Sequence, residues 1–374
     1  MQSRLIFYIL VLLATTAVAQ QSAPRLLQAN SGEVGASFEY WSSGDDKVSE
    51  WVLPLIVRYS ASDYLNFTLI NQPTMAKLSR PAGDFSLNGL TDTRLGASYL
   101  FAGETMLATA GVNLPTGKTE LDAEGLAVAQ VIPLHALGLR TTYFGGGLDL
   151  SAGLSAAFSM NDWVFGVGAG FVRTGTFKPV QNSDDYNPGD EISLTAGLDR
   201  SFGEESKLLA DFTYTLYTTD TFQGADYFKS APRLLFEARY YFPWRNFDMA
   251  VMVRDRVKGK NETLQVDPAT DIAKLREEAA NSHGNELDII AQGGYALSEK
   301  TSVEGLLQVK IYSANELEAN GATIFGIGGG WRRQLTSILH LDLGAKFSFG
   351  SLKAQGESAG ITGFELHGGI IYQF

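Results

Sequence analysis

Four histidines, His135, His283, His340 and His367, are the only imidazoles in 374 residues, and cysteine is absent. Acid–base or nucleophilic chemistry would need one of them beside a serine, a carboxylate or a second imidazole. His340 and His367 come nearest to that. If a C-terminal hairpin pairs residue 350 with 361, His367 falls opposite Gly344, and at ~3.3 Å per residue His340 lies ~13 Å further along. They form no dyad. No G-x-S-x-G elbow, H-E-x-x-H pair or phosphate-cradling loop occurs. The acidic run Asp184-Asp185-Tyr186-Asn187-Pro188-Gly189-Asp190-Glu191 lacks the ordered ligand spacing of a calcium loop, and a solvated turn explains it. No catalytic residue, metal or cofactor is expected, so the chain reads as a non-enzyme.

What remains is electrostatic chemistry on one face of many short segments. In Lys207–Tyr217, Leu208, Ala210, Phe212, Tyr214 and Leu216 alternate with Asp211, Thr213 and Thr215. Arg233–Phe242 sets Leu234, Phe236, Ala238, Tyr240 and Phe242 against Arg233, Glu237, Arg239 and Tyr241. Phe247, Met249, Val251 and Val253 oppose Asp248, Arg254 and Arg256, and Val303, Leu307, Val309 and Ile311 oppose Glu304, Gln308 and Lys310. Period two with one apolar face is the strand signature. The polar faces collect both signs. Arg58, Arg94, Arg233, Arg239, Arg254, Arg256, Lys310 and Lys346 stand with Glu39, Asp149, Asp211, Glu237, Asp248, Asp288, Glu304, Asp342 and Glu365, and His367 shares the last strand's polar face. These are the candidate lumen-lining residues. Two readings stay open: a water-filled path with a transverse field, or paired charges filling a closed interior. Neither sign dominates, so a strongly anion-selective pore is not expected.

The elements that would position these residues start with an export signal. Arg4, the apolar run Leu5–Leu13 and Ala17-Val18-Ala19 give a secretory signal over 1–19, cleaved after Ala19. Residues 20–31 read as a short periplasmic segment, and 32–374 as the barrel domain. No later stretch of 18 apolar residues offers a membrane helix. The net charge of −12 argues against nucleic acid as a partner. Short links near 61–63, 102–103, 161–162, 203–205, 244–246, 298–300 and 336–337 alternate with longer ones near 43–48, 72–87, 115–143, 177–189, 220–230, 261–284, 313–321 and 351–360. That alternation predicts an all-β, transmembrane, antiparallel up-and-down barrel of about sixteen strands (14–18), with short periplasmic turns and longer extracellular loops. Lipid offers backbone groups no partner, so such a sheet must close. Trp51, Tyr59, Trp163, Tyr240, Phe242 and Trp331 are candidates for the aromatic girdles.

The last strand sets Phe364, Leu366, Gly368, Ile370, Tyr372 and Phe374 on one face. A terminal Phe closing an aromatic strand resembles the signal read by barrel-assembly machinery. The expected location is therefore the bacterial outer membrane. Its lipids and lipopolysaccharide, the assembly machinery at Phe374 and a small-molecule solute are the expected partners.

Two loops carry further expectations. The stretch from Thr119 to Leu134 is unusually apolar through Gly125-Leu126-Ala127-Val128-Ala129 and Val131-Ile132-Pro133-Leu134. It could fold inward as a constriction or cap the barrel as a landing site for hydrophobic solutes; packing on neighbouring loops is the simpler reading. Residues 267–281 read as a short lid helix, with Asp267 as N-cap and Pro268 at the first position.

Gly89-Leu90-Thr91-Asp92-Thr93-Arg94-Leu95-Gly96-Ala97-Ser98-Tyr99, followed by Val112-Asn113-Leu114-Pro115-Thr116-Gly117-Lys118, resembles a bacterial outer-membrane family. That family is called transporter-like, or meta-pathway of phenol degradation proteins. Its pattern is a G-x-G-D-x-x-L-G strand, a turn, and a strand ending L-P-T-G; Thr91 stands here at the second glycine and Ser98 where Lys is usual. The resemblance implies passive or facilitated uptake of small aromatic or hydrophobic molecules, and it carries over no binding residues. The alternative is a plugged, non-transporting barrel serving as a structural or surface scaffold.

Overall fold

A computed structural model describes residues 30–374 apart from 204, 268–271, 355 and 356. The expected signal peptide, and the following segment up to residue 29, lie outside the described residues. Sixteen antiparallel staves form the wall. The first four are Ser31–Ser43, Asp46–Val52 with Leu55–Ser60, Leu65–Asn71 with Thr74–Arg80, and Gly83–Gly89 with Thr93–Phe101. Met106–Leu114, Asp149–Met160, Trp163–Arg173, Glu191–Phe202, Ser206–Tyr217 and Arg233–Trp244 bring the count to ten. Phe247–Lys258, Glu286–Ser298, Thr301–Tyr312, Ala322–Gln334, Leu339–Ala354 and Glu357–Gln373 complete it. The last stave pairs with the first from Ser31↔Gln373 to Ser42↔Thr362, so the sheet has no open edge and its backbone groups need no lipid partner.

Alternation along each stave decides its two faces. Leu154, Leu194, Leu307, Ile327 and Ile370 are each about half exposed on the outside, where lipid would cover them. Trp51, Tyr59 and Tyr240 are exposed on the same surface. Glycines on the inner face make room for large neighbours. A Cβ on Gly363 would sit 2.5 Å from the Trp41 ring, so only glycine lets that indole lie against the wall.

The wall is uneven in height. Expected long links near 43–48, 72–87 and 351–360 are instead mostly strand: Asp46–Val52, Thr74–Arg80, Gly83–Gly89, Leu339–Ala354 and Glu357–Gln373 extend the wall there. Pro54 and Pro73 break the pattern beside the strands Asp46–Val52 and Thr74–Arg80, because a proline normally ends a strand. Here the ladder resumes in unchanged register, with Ser37↔Val52 before the break and Val34↔Leu55 after it. The proline carbonyls keep their bonds: Gly35 N donates to Pro54 O (3.0 Å) and Leu53 N to Pro73 O (2.9 Å). The fourth stave breaks differently. Thr74 pairs with Gly89 above the break, and Leu65 with Tyr99 below it, so Leu90–Asp92 hold one extra residue. That bulge swaps the inward face from Leu87 to Arg94.

The fifth to eighth staves are shorter on the long-loop side, and long loops take over there. A second sheet of Tyr186–Asn187, Thr219–Phe222, Ala225–Lys229, Glu262–Asp267 and Ile272–Glu277 rises above the wall. The expected helix over 267–281 is therefore wrong where it is described. Ile272–Glu277 is a strand paired with Glu262–Asp267, because cross-strand pairing such as Leu264↔Leu275 outweighs the local cap signal. Residues 268–271 lie outside the described residues.

Candidate solute passage and the loop inside it

The longest link, residues 115–148, turns into the barrel. Its entry and exit are held by one carboxylate at the bulge of the fourth stave. Asp92 accepts from Gly117 N (2.9 Å), Gly146 N (2.8 Å) and Asn113 Nδ2 (3.2 Å). Thr116 Oγ1 lies 2.8 Å from Thr93 Oγ1 and accepts from Thr93 N. Asp92 N donates to Phe144 O, and a Cβ on Gly117 would meet that same oxygen at 2.0 Å, so position 117 must be glycine. The segments 89–99 and 112–118 thus do one job. They knot the two ends of the loop to the wall.

Inside, the helix Ala123–Ala129 is capped by Asp122, which accepts from Gly125 N at 2.8 Å. Val128, Ile132, Leu137, Leu139 and Phe144 are buried in the largest apolar cluster of the molecule. Their partners are inward side chains of the wall: Trp41, Val48, Ala76, Leu78, Leu87, Tyr312, Ala322, Ile324 and Ile361. Apolar residues line the inner face near the long-loop rim because a loop, not water, covers them. Of the readings open from sequence, the inward fold is the one seen. Packing is close, leaving a gap of about 10 Å³ by Leu137 and Gly138, room for at most one water.

Polar anchors fix the loop's depth. Glu50, fully buried, accepts from Arg140 N (3.0 Å) and Thr141 N (3.1 Å). Thr141 Oγ1 lies 2.9 Å from Thr74 Oγ1. The Arg140 guanidinium bridges Glu39 and Glu365, each at 3.2 Å. Lys310 Nζ donates to Ala136 O (2.9 Å) and His135 O (3.3 Å). His135 meets Glu286, which also takes Arg256 at 2.5 Å. These anchors come from the first three staves and from the eleventh, twelfth, thirteenth and sixteenth.

The sequence-predicted charged residues all occupy inward register positions, and they divide into three groups. Lys310, Arg256, Glu365 and, through Glu365 at 2.7 Å, Lys346 belong to the loop's anchorage. His367 stands 3.7 Å from Glu365, opposite Gly344, and His340 lies opposite Ile371, four residues along the stave. A second group is engaged within the wall or at its rims. Glu237 takes both Arg239 and Arg254; Asp342 takes Arg332 at 3.0 Å. Asp288 accepts from Tyr312 Oη (3.0 Å) and Arg58 lies 3.8 Å from Glu33. Arg94 donates to Tyr143 Oη (2.8 Å); Asp149 accepts from Asn113 Nδ2 and Gly175 N, both at 3.0 Å; Glu304 lies over Gly330. The third group has no such bond among the described residues: Asp211, across from Glu237; Asp248, across from Pro243 and Gly294; and Arg233, across from Lys258.

Sequence reasoning missed the residues that hold the loop most firmly: Glu50, Asp92, Arg140, Thr141 and His135. One signal was present. Arg140 is a lone cation following a long apolar run, and an apolar segment that keeps a cation in a barrel needs inward carboxylates to receive it.

Opposite the anchored side, the fifth to ninth staves turn small side chains to the lumen. Thr109, Gly111, Ser151, Gly168, Thr195 and Thr213 share that face by register. The loop therefore fills one side of the interior and leaves the other lined by hydroxyls and glycines.

No protein-family model and no curated protein matches the chain. Solved structures do. A bacterial polysaccharide outer membrane secretin matches at 10% identity over 94% of this chain and 100% of that one, with a TM-score of 0.48. The TodX deltaS2S3 mutant monoaromatic hydrocarbon channel matches at 8% identity over 93% and 91%, with a TM-score of 0.47. OprB of Pseudomonas putida, in a low-pH structure, matches at 8% over 91% and 92%, with a TM-score of 0.45. At such identities and TM-scores the likeness adds nothing to the closed barrel that the structure itself shows.

Proposed function

We propose that this barrel is an outer-membrane channel that admits small solutes past the inward loop 115–148. The observation that carries this reading is the asymmetry of the lumen. One side is sealed by the apolar cluster and its anchors, while the other presents small hydroxyl and glycine positions rather than packed bulk. The candidate lumen charges act in this reading as a mixed-sign lining that orients polar solutes. Export by a cleaved signal over 1–19, periplasmic termini and insertion through the Phe374 strand belong to the same proposal. So does membership of the transporter-like family, for which the knot formed by 89–99 and 112–118 gives the shared motif a physical purpose. On that footing the solutes would be small and aromatic or hydrophobic, taken up without energy input and without chemistry.

Liposome swelling with purified full-length chain tests the reading. Uptake of small neutral solutes, falling off with solute size, is the expected result. No uptake of any solute would sink the channel and leave the plugged scaffold, which the close fit at Leu137–Gly138 favours on its own side of the lumen.

A further inference from the structure

The tenth and eleventh staves set Arg233 directly across from Lys258, both on the inward face. Like charges so placed, with Cβ atoms about 5 Å apart, repel and destabilise a sheet unless something neutralises them. Neither finds an ion-pair partner among the described residues. Among the described residues no carboxylate lies within 4.0 Å of either, Arg233 Nε is buried without an acceptor, and the Lys258 ammonium makes no hydrogen bond. Tyr217 ends the neighbouring stave, two residues beyond Thr215, which faces Arg233. Its hydroxyl is likewise uncommitted among the described residues.

The surrounding carboxylates are occupied, with one exception. Glu286 serves Arg256 and His135. Asp220 accepts from Tyr186 Oη and from Gly189 N (2.7 Å). Glu278 accepts from Asn261 N (3.0 Å) and from Ser282 N and Oγ. Glu191, across from Tyr217, is near enough to feel Arg233 but forms no ion pair with it. Asp220 and Glu278 are bonded by neutral donors and keep their charge, but neither forms an ion pair with Arg233 or Lys258, so both cations are left without a carboxylate in contact among the described residues. All four side chains lie at the long-loop ends of their staves, where the passage opens beside the His135 tip of the inward loop.

We infer that Tyr217, Arg233 and Lys258 form a binding site for the carboxylate of a small organic monoanion at the outer mouth of the lumen. The site rests on the passage reading for its purpose but not for its chemistry. A guanidinium, an ammonium and a phenol supply donors from three adjacent staves, and a carboxylate held among them would give both cations the contact they lack. The repulsion between Arg233 and Lys258 is then a cost in stability that the unliganded barrel carries for binding.

Acetate is the probe, read by saturation-transfer NMR on the folded, detergent-solubilised full chain, with acetamide as the uncharged isostere. Wild type should bind acetate and ignore acetamide. Arg233→Gln and Lys258→Met should each weaken acetate about tenfold, the worth of one charge-assisted hydrogen bond, whereas Glu191→Gln should strengthen it. Because either neutralisation relieves like-charge repulsion, both variants should keep the heat-modifiable folded band on gels. Acetate binding unmoved by both substitutions, or acetamide competing equally, would overturn the site. Ion selectivity in planar bilayers separates the two proposals. Acetate binding without any conductance would refute the passage and leave the site standing; conductance without acetate binding would do the reverse.

Discussion

At the residue scale, Asp92 and Glu50 do what charge pairs elsewhere in the lumen do not. Each is an inward carboxylate whose acceptors are filled by backbone amides of the same loop. Buried amides deprived of an acceptor are expensive, and hydrogen bonds to a charged group contribute more than neutral ones. Asp92→Ala leaves Gly117 N and Gly146 N without their acceptor and Asn113 Nδ2 with Asp149 alone, so a loss of about 2 kcal/mol or more is expected. The check is limited proteolysis: residues 115–148 should be cut in the variant under conditions where the wild type resists. Ile132→Ala, at a side chain 1% exposed, should cost about 2–4 kcal/mol by opening a cavity in the apolar cluster. Urea unfolding of the lipid-inserted protein measures that directly, and a cost near zero would mean the cluster does not hold the loop.

At the element scale, the loop 259–285 carries a titratable turn outside the membrane. Burial pushes the Glu278 carboxyl up, but hydrogen bonds from Ser282 and Asn261 outweigh it and hold the group below the usual carboxylate range. A depressed folded value means the turn's support is complete above the ordinary carboxylate pKa and is lost as pH falls through the lowered one. Protection of the Asn261 and Ser282 amides, taken against the intrinsic exchange rate at each pH, should therefore fall in acid, and Glu278→Gln should show part of that loss at neutral pH. Exchange that shows no dependence on pH beyond the intrinsic rate would contradict the assignment. The same loop shows where local signals mislead. Asp267-Pro268 is a sound helix start by itself, yet Ile272–Glu277 pairs with Glu262–Asp267 because a sheet edge was available beside it. Pro54 and Pro73 mislead in the opposite sense. They sit at breaks the neighbouring staves share, where the ladder dispenses with their missing N–H.

At the scale of the whole molecule, period-two alternation and the rhythm of short and long links made the closed barrel legible, down to the pairing of 350 with 361. Register follows from which face is greasy, and that is written in every stave. The inward fold of residues 115–148 was not written in the same way. An apolar run reads alike whether it packs on other loops or on Trp41, Leu87 and Ile324, and those wall residues declare themselves only once the topology brings them around one mouth. The charged lining was legible as a face but not as a division of labour. Lys310 and Glu365 look like pore residues until Ala136 and Arg140 are seen beside them. The molecule that results is a barrel sealed on one side and small-lined on the other, and on the proposed reading the loop narrows the passage that the small-lined side leaves.

Single-channel conductance of the full-length chain against a deletion of residues 121–137 tests whether the loop narrows that passage. The wild type should conduct, and the deletion should raise the conductance roughly twofold or more as open cross-section is gained. Equal conductance in the two, or silence in both, would contradict it.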